Sequence, residues 1–432
     1  MKLRGTFLVL LLIFLGGEAR ATEIQRVVSP HGIEAWLVED DTVPLVALSF
    51  AFAGGAAQDP AGRPGVANMV SGLLDEGAGD LDSQAFQGAL DNSSIELSFD
   101  AGRDAFYGSV RTLLDDRDQA ARLLKLALTK PRFDHEPVER IRAQVLAGIR
   151  SSARDPDNVA SDALMAAAFP NHPYGRPVEG TPDSVAAVTV DDLKAYFAKT
   201  IARDNLKIAV VGAIDARRLG DLLDAVFGDL PAKAELRPVA ETAPAAPGAV
   251  DVTMAIPQTI IQFASKGLKR NDPDFVTASV ADYILGGGSF ASRLYDQVRE
   301  KRGLAYSVSL GLQPMDHAGA IIGSTSTRAD QAGSVVSLVK SEMDRFAADG
   351  PTAEELAKAK SYLIGSYALR FNTSTKIANQ LLSIELNDLG IDYIDRRNAL
   401  IAGVGLDDIR RVAKRLFGGS DLIVVRVGPP AT

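Results

Sequence analysis

An internal repeat constrains the fold of this chain more than any other feature of its sequence. Residues 191–212, DDLKAYFAKTIARDNLKIAVVG, align without a gap with residues 407–428, DDIRRVAKRLFGGSDLIVVRVG. In both segments an acidic pair opens a helical pattern, a polar turn follows, and an apolar strand ends at glycine. Two weaker matches support the same duplication: residues 44–74 with 257–287, and residues 138–149 with 356–367. We infer a duplicated domain of roughly 200 residues.

The patterns within each half favour an α+β fold over a doubly wound parallel sheet. Residues 23–38 predict two strands joined by a turn, and residues 43–52 predict a third strand. Helical patterns follow at residues 113–129 and 137–150. Hairpin-like spacing at the start of the chain, before any helix, is typical of antiparallel pairing.

Residues 231–247, PAKAELRPVAETAPAAP, mark a boundary between the two halves. They contain four prolines and few large apolar side chains. This composition is typical of a semi-extended, solvated linker without a core of its own. We therefore predict a first domain over residues 22–230, a linker over residues 231–249 and a second domain over residues 250–432.

Residues 1–21 have the layout of a secretory signal peptide. Lys2 and Arg4 precede an apolar run at residues 7–15, and the ARA sequence at residues 19–21 fits cleavage near Ala21. The apolar run is about half of the roughly 20 residues that span a bilayer, so we expect cleavage rather than a stable membrane span. We expect a periplasmic or otherwise exported protein. Because the sequence has no cysteine, it has no site for disulfides or thiolate ligation of a metal.

Charge and motif content exclude several classes of function. The formal net charge is −9 and no block of Lys and Arg interrupts the acidity, so we exclude nucleic acid as a partner. The four histidines offer no i, i+4 pair, and no cluster of His, Asp and Glu suitable for zinc is visible. The sequence also lacks a GxxxxGKS phosphate loop and a GxSxG nucleophile elbow.

The stretch LGGGSFASRLYDQVREKRGLAYSVSL, at residues 285–310, predicts a capped helix followed by a strand. Ser289 is the expected N-cap, and Gly303 stands where a left-handed C-terminal cap usually lies. This arrangement places Arg299 near the end of the helix and Tyr306 at the start of the strand. A guanidinium and a phenol would then donate hydrogen bonds toward one point.

Four motifs occur along the two halves in a familiar order and spacing: PGVA at residues 64–67, HPYGRPVEGTPDSV at 172–185, NLKIAVVGAID at 205–215, and SRLYDQVREKRGLAYSVS at 292–309. Through them the mature chain resembles the pitrilysin/insulinase/mitochondrial-processing-peptidase family of inverted-motif zinc peptidases, particularly its small bacterial two-domain subunits. The resemblance implies two homologous α+β domains, each with a mainly antiparallel sheet flanked by helices.

The resemblance also implies that the zinc motif is degenerate. Active members carry H-x-x-E-H on a helix, in which two histidines bind zinc and the glutamate activates water. The corresponding residues here are Asn68, Ser71 and Gly72, and a later glutamate ligand corresponds to Gly148 or to Ala147. Because none of these can replace its counterpart, we expect no metal and no cofactor in this chain. The nearby carboxylates of residues 75 and 76 are expected at a solvated helix end.

The same resemblance gives Arg299 and Tyr306 a role in binding substrate. Family members carry an arginine and a tyrosine seven residues apart that hold the substrate backbone and polarise the scissile carbonyl. Arg299 and Tyr306 have this spacing. From the residues alone, Arg299 could instead pair with Asp296 or Glu300, and Tyr306 could be an ordinary strand residue.

A lost zinc motif beside a retained Arg/Tyr pair is typical of the noncatalytic subunits of heterodimeric family members. We expect a zinc-free subunit that completes the active site of a zinc-bearing paralogue and encloses peptides in a shared chamber, the zinc lying in the partner. Gly286, Gly287 and Gly288 are expected either to form a rim that touches the peptide or to serve packing. The alternatives are a structural or assembly protein and a standalone peptide-binding protein.

Overall fold

A computed structural model describes residues 23–419 and 421–430. The expected signal peptide and its cleavage site lie outside these residues. Within the described ranges, no helix has the length and apolar character needed to cross a membrane.

A mixed sheet forms the centre of the first half. Its strands are β1 (Ile24–Val28), β2 (Glu34–Glu39), β3 (Leu45–Ala53), β4 (Glu96–Ala101), β5 (Ala105–Leu113) and β6 (Leu206–Gly212). They lie in the order β1-β2-β6-β3-β5-β4. The β2–β6 pair is parallel, and the other neighbouring pairs are antiparallel.

The second half is built on a similar sheet. Its strands are β7 (Gly248–Thr253), β8 (Gln258–Lys266), β9 (Ala305–Met315), β10 (Ala318–Arg328) and β11 (Ile423–Gly428). They lie in the order β7-β11-β8-β10-β9, with only the β7–β11 pair parallel among the described strands. The predicted α+β class, with two mainly antiparallel sheets, is confirmed.

Helices pack against both sheets. In the first half they are α1 (Val66–Ser71), α2 (Ser83–Asn92), α3 (Arg117–Thr129), α4 (His135–Ser152), α5 (Pro156–Ala168), α6 (Pro182–Ala186), α7 (Val190–Thr200) and α8 (Ala216–Phe227). In the second half they are α9 (Phe275–Asp282), α10 (Arg293–Tyr295), α11 (Ala332–Asp349), α12 (Ala353–Gly365), α13 (Ser374–Leu386), α14 (Tyr393–Gly403) and α15 (Leu406–Phe417). Their apolar sides and one face of each sheet enclose the two main cores.

The repeat in the sequence is a repeat in the fold. α7 and β6 occupy the same place in the first half as α15 and β11 in the second, and β3 corresponds in the same way to β8. The order β2-β6-β3-β5-β4 matches β7-β11-β8-β10-β9, which leaves β1 as an additional edge strand. Strands β6 and β11 are almost wholly buried, and strands buried on both faces read as near-continuous apolar runs. This burial explains why both are recognisable in the sequence.

One helix of each half packs on the sheet of the other half. α5 packs on β8 and β11, where Leu164 and Phe169 join Ile260 and Val425 in a buried cluster. α13 packs on β3 and β6 in the equivalent arrangement, and both helices are 13 residues long. The predicted domain ranges divide the chain by sequence, whereas these two helices cross that division. The halves therefore share buried clusters as well as having cores of their own.

The segment between the halves is held by backbone hydrogen bonds on both sides. The N–H of Glu235 donates to the carbonyl oxygen of Lys199, and the N–H of Thr242 donates to that of His317, each at 2.8 Å. β7 then begins at Gly248, inside the range predicted as linker. Composition predicts the extended course of this segment but carries no signal for its backbone partners.

Candidate functional site

The positions that would carry a zinc site lie on α1 and α4 and present no set of ligands. Asn68 and Ser71 belong to α1, Gly72 follows its last residue, and Gly148 is exposed on α4. The Ser71 hydroxyl donates to the carbonyl oxygen of Asn68 at 2.8 Å, inside the helix. A Cβ added at residue 72 would lie 3.2 Å from Cγ2 of Ile141, a tighter approach than an ordinary van der Waals contact. A histidine at residue 72 would therefore require Ile141 to move.

Carboxylates near this position serve structure. Across residues 23–419 and 421–430, no group of three or more His, Asp or Glu side chains could hold a metal ion. Asp75 and Glu76 are half-buried, so the expected solvated helix end is wrong. Burial raises the pKa of Asp75. For Glu76, hydrogen bonds from Arg140 and Ser83 lower the pKa in spite of burial, and the Arg140 pair joins the chain after α1 to α4.

The start of α1 is fixed by a buried carboxylate. Asp59, only 1% exposed, accepts the N–H of Gly65 at 2.7 Å and that of Ala67 at 2.8 Å. Burial raises the pKa of Asp59 to about 6, against the effect of these two N–H groups. Gly65 has a φ of 99°, and a Cβ there would lie 2.7 Å from the carbonyl oxygen of Glu179. The PGVA motif and the 172–185 motif thus pack on each other, and both carry structure.

The chain approaches Arg299 through two π-helical turns, at Tyr283–Gly287 and Asp296–Glu300. The N–H of Gly288 donates to Tyr283 O, and the N–H of Lys301 donates to Asp296 O, both at 2.9 Å. Such turns interrupt the regular helical ladder and are frequent at functional sites. The single helix predicted before Gly303 is therefore broken into short pieces.

The predicted caps of this segment have different outcomes. Ser289 is not the N-cap, because its φ of 46° is left-handed and it begins a separate 3₁₀ turn. The N-cap is Ser292, whose hydroxyl accepts the N–H of Tyr295 at 3.3 Å. Gly303 has a φ of 60°, which confirms the predicted left-handed residue before the strand.

Arg299 lies between two tyrosine rings. Its Cζ is 5.1 Å from the ring centroid of Tyr295 and 4.4 Å from that of Tyr306, and its Nη1 donates to Tyr295 Oη. Phe290 meets Tyr295 edge to face, with 5.0 Å between centroids. Tyr306 is 77% exposed and Phe290 is 76% exposed, whereas Tyr295 is buried. We call Phe290, Tyr295, Arg299 and Tyr306 the aromatic–arginine cluster.

The guanidinium of Arg299 keeps donors free for a ligand. Its Nε forms an ion pair with Glu300, as one alternative from the sequence proposed, but at 3.9 Å from Oε1 this pair is longer than a hydrogen bond. Asp296 pairs instead with Lys301 at 2.6 Å. In the part of the chain that the structure describes, Tyr295 is the only hydrogen-bond partner of the Arg299 side chain. A guanidinium has five N–H donors, so a carbonyl or carboxylate oxygen could accept several of the others.

The structure brings Arg299 and Tyr306 together and adds two residues that sequence reasoning does not identify. The i, i+4 spacing of Tyr295 and Arg299 is a signal for the first addition. Phe290 has no comparable signal. Among the described residues, no hydrogen bond, ion pair or ring contact links this cluster to the positions of the degenerate zinc motif.

The glycine run divides between packing and surface. A Cβ at Gly286 would lie 2.5 Å from Leu310 Cβ, so this buried glycine permits close packing on β9. Gly287 is exposed, and with Gly288 it lines a cavity of about 710 Å³. Contact between these two glycines and a peptide stays a prediction.

Comparison with known proteins places both halves in one group. The family model described as Insulinase (Peptidase family M16) matches residues 35–182, and the model described as Peptidase M16 inactive domain matches residues 187–363. Together the two matches cover well over half of the chain.

Individual relatives match nearly the full length. A Helicobacter pylori protein named "Non-peptidase homolog YmxG" is 29% identical over 379 residues, which is 86% of this chain and 87% of that protein. A Streptomyces coelicolor protein named as an uncharacterized zinc protease is 28% identical over 424 residues, 96% of this chain and 91% of that protein. The crystal structure of a peptidase M16 inactive domain from Pseudomonas fluorescens matches with a TM-score of 0.87 and 29% identity, over 94% of this chain and 98% of that one.

Proposed function

This chain belongs to the insulinase family of peptidases, family M16, and from that premise we propose that it is a zinc-free subunit of a heterodimeric peptidase. It would lend Arg299 and Tyr306 to the active site of a zinc-bearing paralogue. The description of one matched model as inactive, and the name of the Helicobacter pylori relative, agree with a chain that holds no zinc. The residues at positions 68, 71, 72 and 148 agree with it as well.

The observation that carries the proposal is an arginine held in place by Tyr295 with most of its N–H donors unused. Tyr295 orients the guanidinium from the buried side, and the exposed ring of Tyr306 covers part of it. No carboxylate of the described chain lies within hydrogen-bonding distance of it. Exposed aromatic side chains grouped around such a cation are typical of a surface that a ligand or partner covers.

The position of Tyr306 suits a peptide ligand. Tyr306 lies at the start of β9, the outermost strand of the second sheet, and an extended peptide can pair with such an edge. Arg299 would then donate to a backbone carbonyl, and the Tyr306 phenol would donate to the oxyanion that develops on the scissile carbonyl. Donors of this kind contribute about 3 kcal/mol each in a dry site. Zinc in the partner would supply the activated water.

The proposal includes a place and a substrate class. The expected signal peptide would deliver this subunit to the periplasm. The chamber that it forms there with the zinc-bearing paralogue would admit short or unfolded peptides. A peptide in that chamber would contact both chains at once.

The test is reconstitution from purified chains. We expect a generic quenched peptide to be cleaved by the mixture of this chain and a zinc-motif paralogue, and not by this chain alone. Arg299→Ala should lower kcat/KM of the mixture by about 100-fold or more. Arg302→Ala is a matched control and should change little, because among the described residues this neighbouring arginine donates hydrogen bonds to Gln297 alone.

Other outcomes distinguish the alternatives. Stoichiometric zinc with chelator-sensitive cleavage by this chain alone would contradict the proposal. If the mixtures with Arg299→Ala and with Tyr306→Phe are each as active as the mixture with the parent chain, a structural or assembly role is favoured. Peptide binding by this chain with no effect of the paralogue would favour a standalone binding protein.

A further inference from the structure

A cavity of about 710 Å³ lies beside the aromatic–arginine cluster. One wall is formed by the glycine run and the 3₁₀ turn at Ser289–Ala291, and the opposite wall by the end of α12 and the 3₁₀ turn at Ser366–Phe371. Phe290 belongs both to this cavity and to the cluster, through its contact with Tyr295. A ligand on Arg299 and a ligand in the cavity would therefore be neighbours.

The cavity wall contains a carboxylate without a partner. The side chain of Asp282, the last residue of α9, makes no hydrogen bond or ion pair among the described residues. The residue is half-buried, and its Oδ1 is fully buried. A Cβ added at Gly287 would lie 2.6 Å from Asp282 Oδ2, so the carboxylate lies directly against the exposed glycine. Burial raises the pKa of Asp282 to about 8. A buried carboxylate is costly when it is charged and unpaired, and such a group outside any network calls for an explanation.

Aromatic rings line the same cavity as this carboxylate. Tyr283 and Tyr362 stack at 5.1 Å between centroids, and Tyr367 and Phe290 complete the set. The Tyr367 hydroxyl is also buried without a partner. Tyr362 is 57% exposed and Leu369 is 72% exposed at the mouth of the cavity. Ring faces together with a carboxylate are the groups that proteins use to bind cationic nitrogen.

The two arginines at the cavity do not neutralise Asp282. The Arg397 guanidinium lies 3.9 Å from the Tyr367 ring centroid and donates to Leu363 O and Asn398 Oδ1, so it is already engaged. Arg370 is exposed and forms no ion pair with Asp282. A cation that reaches Asp282 would have to come from a ligand.

We propose that Asp282 is a specificity residue that binds a cationic nitrogen of the peptide, from a lysine or arginine side chain or from an amino terminus. This inference rests on the proposed function, because it names the class of peptide that the cluster would hold: one with a basic group near the bond on Arg299. Without the ligand, the raised pKa of this carboxyl favours its protonated form at neutral pH. Binding of the cation would pair it with the ionised carboxylate and release one proton to the solvent.

The experiment measures binding of fluorescent peptides to this chain alone. One peptide carries a single lysine and a free amino terminus, a second replaces the lysine with norleucine, and a third keeps the lysine and has an acetylated amino terminus. A fourth carries both changes and is the neutral peptide, because it has no cationic nitrogen. We expect the lysine peptide to bind at least about tenfold more tightly than its neutral counterpart. Loss of affinity on replacement of lysine identifies the side chain as the source of the cation, and loss on acetylation identifies the terminus.

Variants make the test specific. Asp282→Asn, which keeps the shape and removes the charge, should abolish the preference for the cationic peptide and leave binding of the neutral peptide unchanged. Gly287→Ala should have a similar effect, because its methyl group would press on the carboxylate. Glu300→Gln is the matched control: an exposed carboxylate close to Arg299 but outside the cavity. Thermal melts of each variant establish that it is folded.

A pH series gives an independent readout. Affinity for the lysine peptide should rise by up to about tenfold per pH unit between pH 6 and pH 8, because the carboxyl must ionise to pair, whereas affinity for the neutral peptide should stay level. A folded Asp282→Asn variant that retains the full preference would overturn the inference. Binding that discriminates through Asp282, with no activity in the mixture, would preserve this site and contradict the heterodimer. If Arg299→Ala abolishes activity of the mixture but peptide binding shows no preference for a cationic group, the heterodimer is supported and the Asp282 site is contradicted.

Discussion

Single residues around Arg299 show how an exposed guanidinium is kept in one orientation. A free arginine side chain loses conformational entropy when it binds, and a side chain that is already held loses less. Tyr295 holds Arg299 through both its ring and its hydroxyl. The sequence predicts the Arg299 and Tyr306 pair through the family resemblance, in which an arginine and a tyrosine stand seven residues apart. It cannot predict that neither Glu300 nor Asp296 lies within hydrogen-bonding distance of the guanidinium, because that depends on side-chain direction in a π turn.

Removal of the Tyr295 hydroxyl tests this support. Tyr295→Phe keeps the ring contact and deletes the acceptor for Arg299 Nη1. We expect kcat/KM of the reconstituted peptidase to fall by about three- to tenfold, while the free energy of unfolding changes by no more than about 1.5 kcal/mol. Steady-state kinetics and chemical denaturation measure the two quantities. Unchanged kinetics would mean that ring stacking alone orients Arg299.

At the scale of elements, the reliability of sequence reasoning follows the strength of the local signal. The predicted helices at residues 137–150 and 191–203 correspond to α4 and α7, where apolar periodicity and end signals agree. The pattern at residues 113–129 holds only from Arg117, because β5 continues to Leu113. The single helix predicted before Gly303 is wrong, because two π-helical turns interrupt this segment and have no periodic signal in the sequence.

The short helix α1 depends on a residue outside it. Asp59→Ala should lower the free energy of unfolding by about 2–3 kcal/mol, because two backbone N–H groups at the helix start lose their acceptor. Asp59→Asn retains one acceptor oxygen and should cost less. Urea denaturation of the two variants measures the difference. Equal stability of Asp59→Ala and the parent chain would show that water replaces the carboxylate.

For the whole molecule, helices α5 and α13 join the two halves through shared buried clusters. α13 carries Glu385, which is 5% exposed on the first sheet and has one oxygen without a partner. Its nearest cation is Lys207, with 4.0 Å between Nζ and Oε1. Burial raises the pKa of Glu385 to about 7, although Lys207 acts in the opposite direction, while Glu34 and Asp388 add repulsion. The inter-half contact thus contains a titrating group.

The sign of the pH effect follows from that raised pKa. The folded state binds the proton of Glu385 more tightly than the unfolded state does. The free energy of unfolding should therefore decline as the pH rises from 4.5, the ordinary pKa of a glutamate, through about 7, the pKa of Glu385 in the folded state. Glu385→Gln should remove this part of the decline and gain stability relative to the parent at pH 8. Denaturation curves at pH 5 and pH 8 provide the comparison. A constant difference between variant and parent at both values would contradict the assignment.

The exchange of α5 and α13 also imposes an order in time. During synthesis, α5 is complete before any strand of the second sheet is made, so the helix that covers this sheet is already present when its strands form. For the first sheet the order is reversed, because its last strand ends at Gly212, whereas α13, the helix that covers it, ends only at Leu386. Until residue 386 has been added to the chain, the apolar face that bears Trp36 and Val211 is not covered by α13. A chain that crosses a membrane from its amino end would keep the same order, so we expect the first sheet to be prone to aggregation until α13 has followed it.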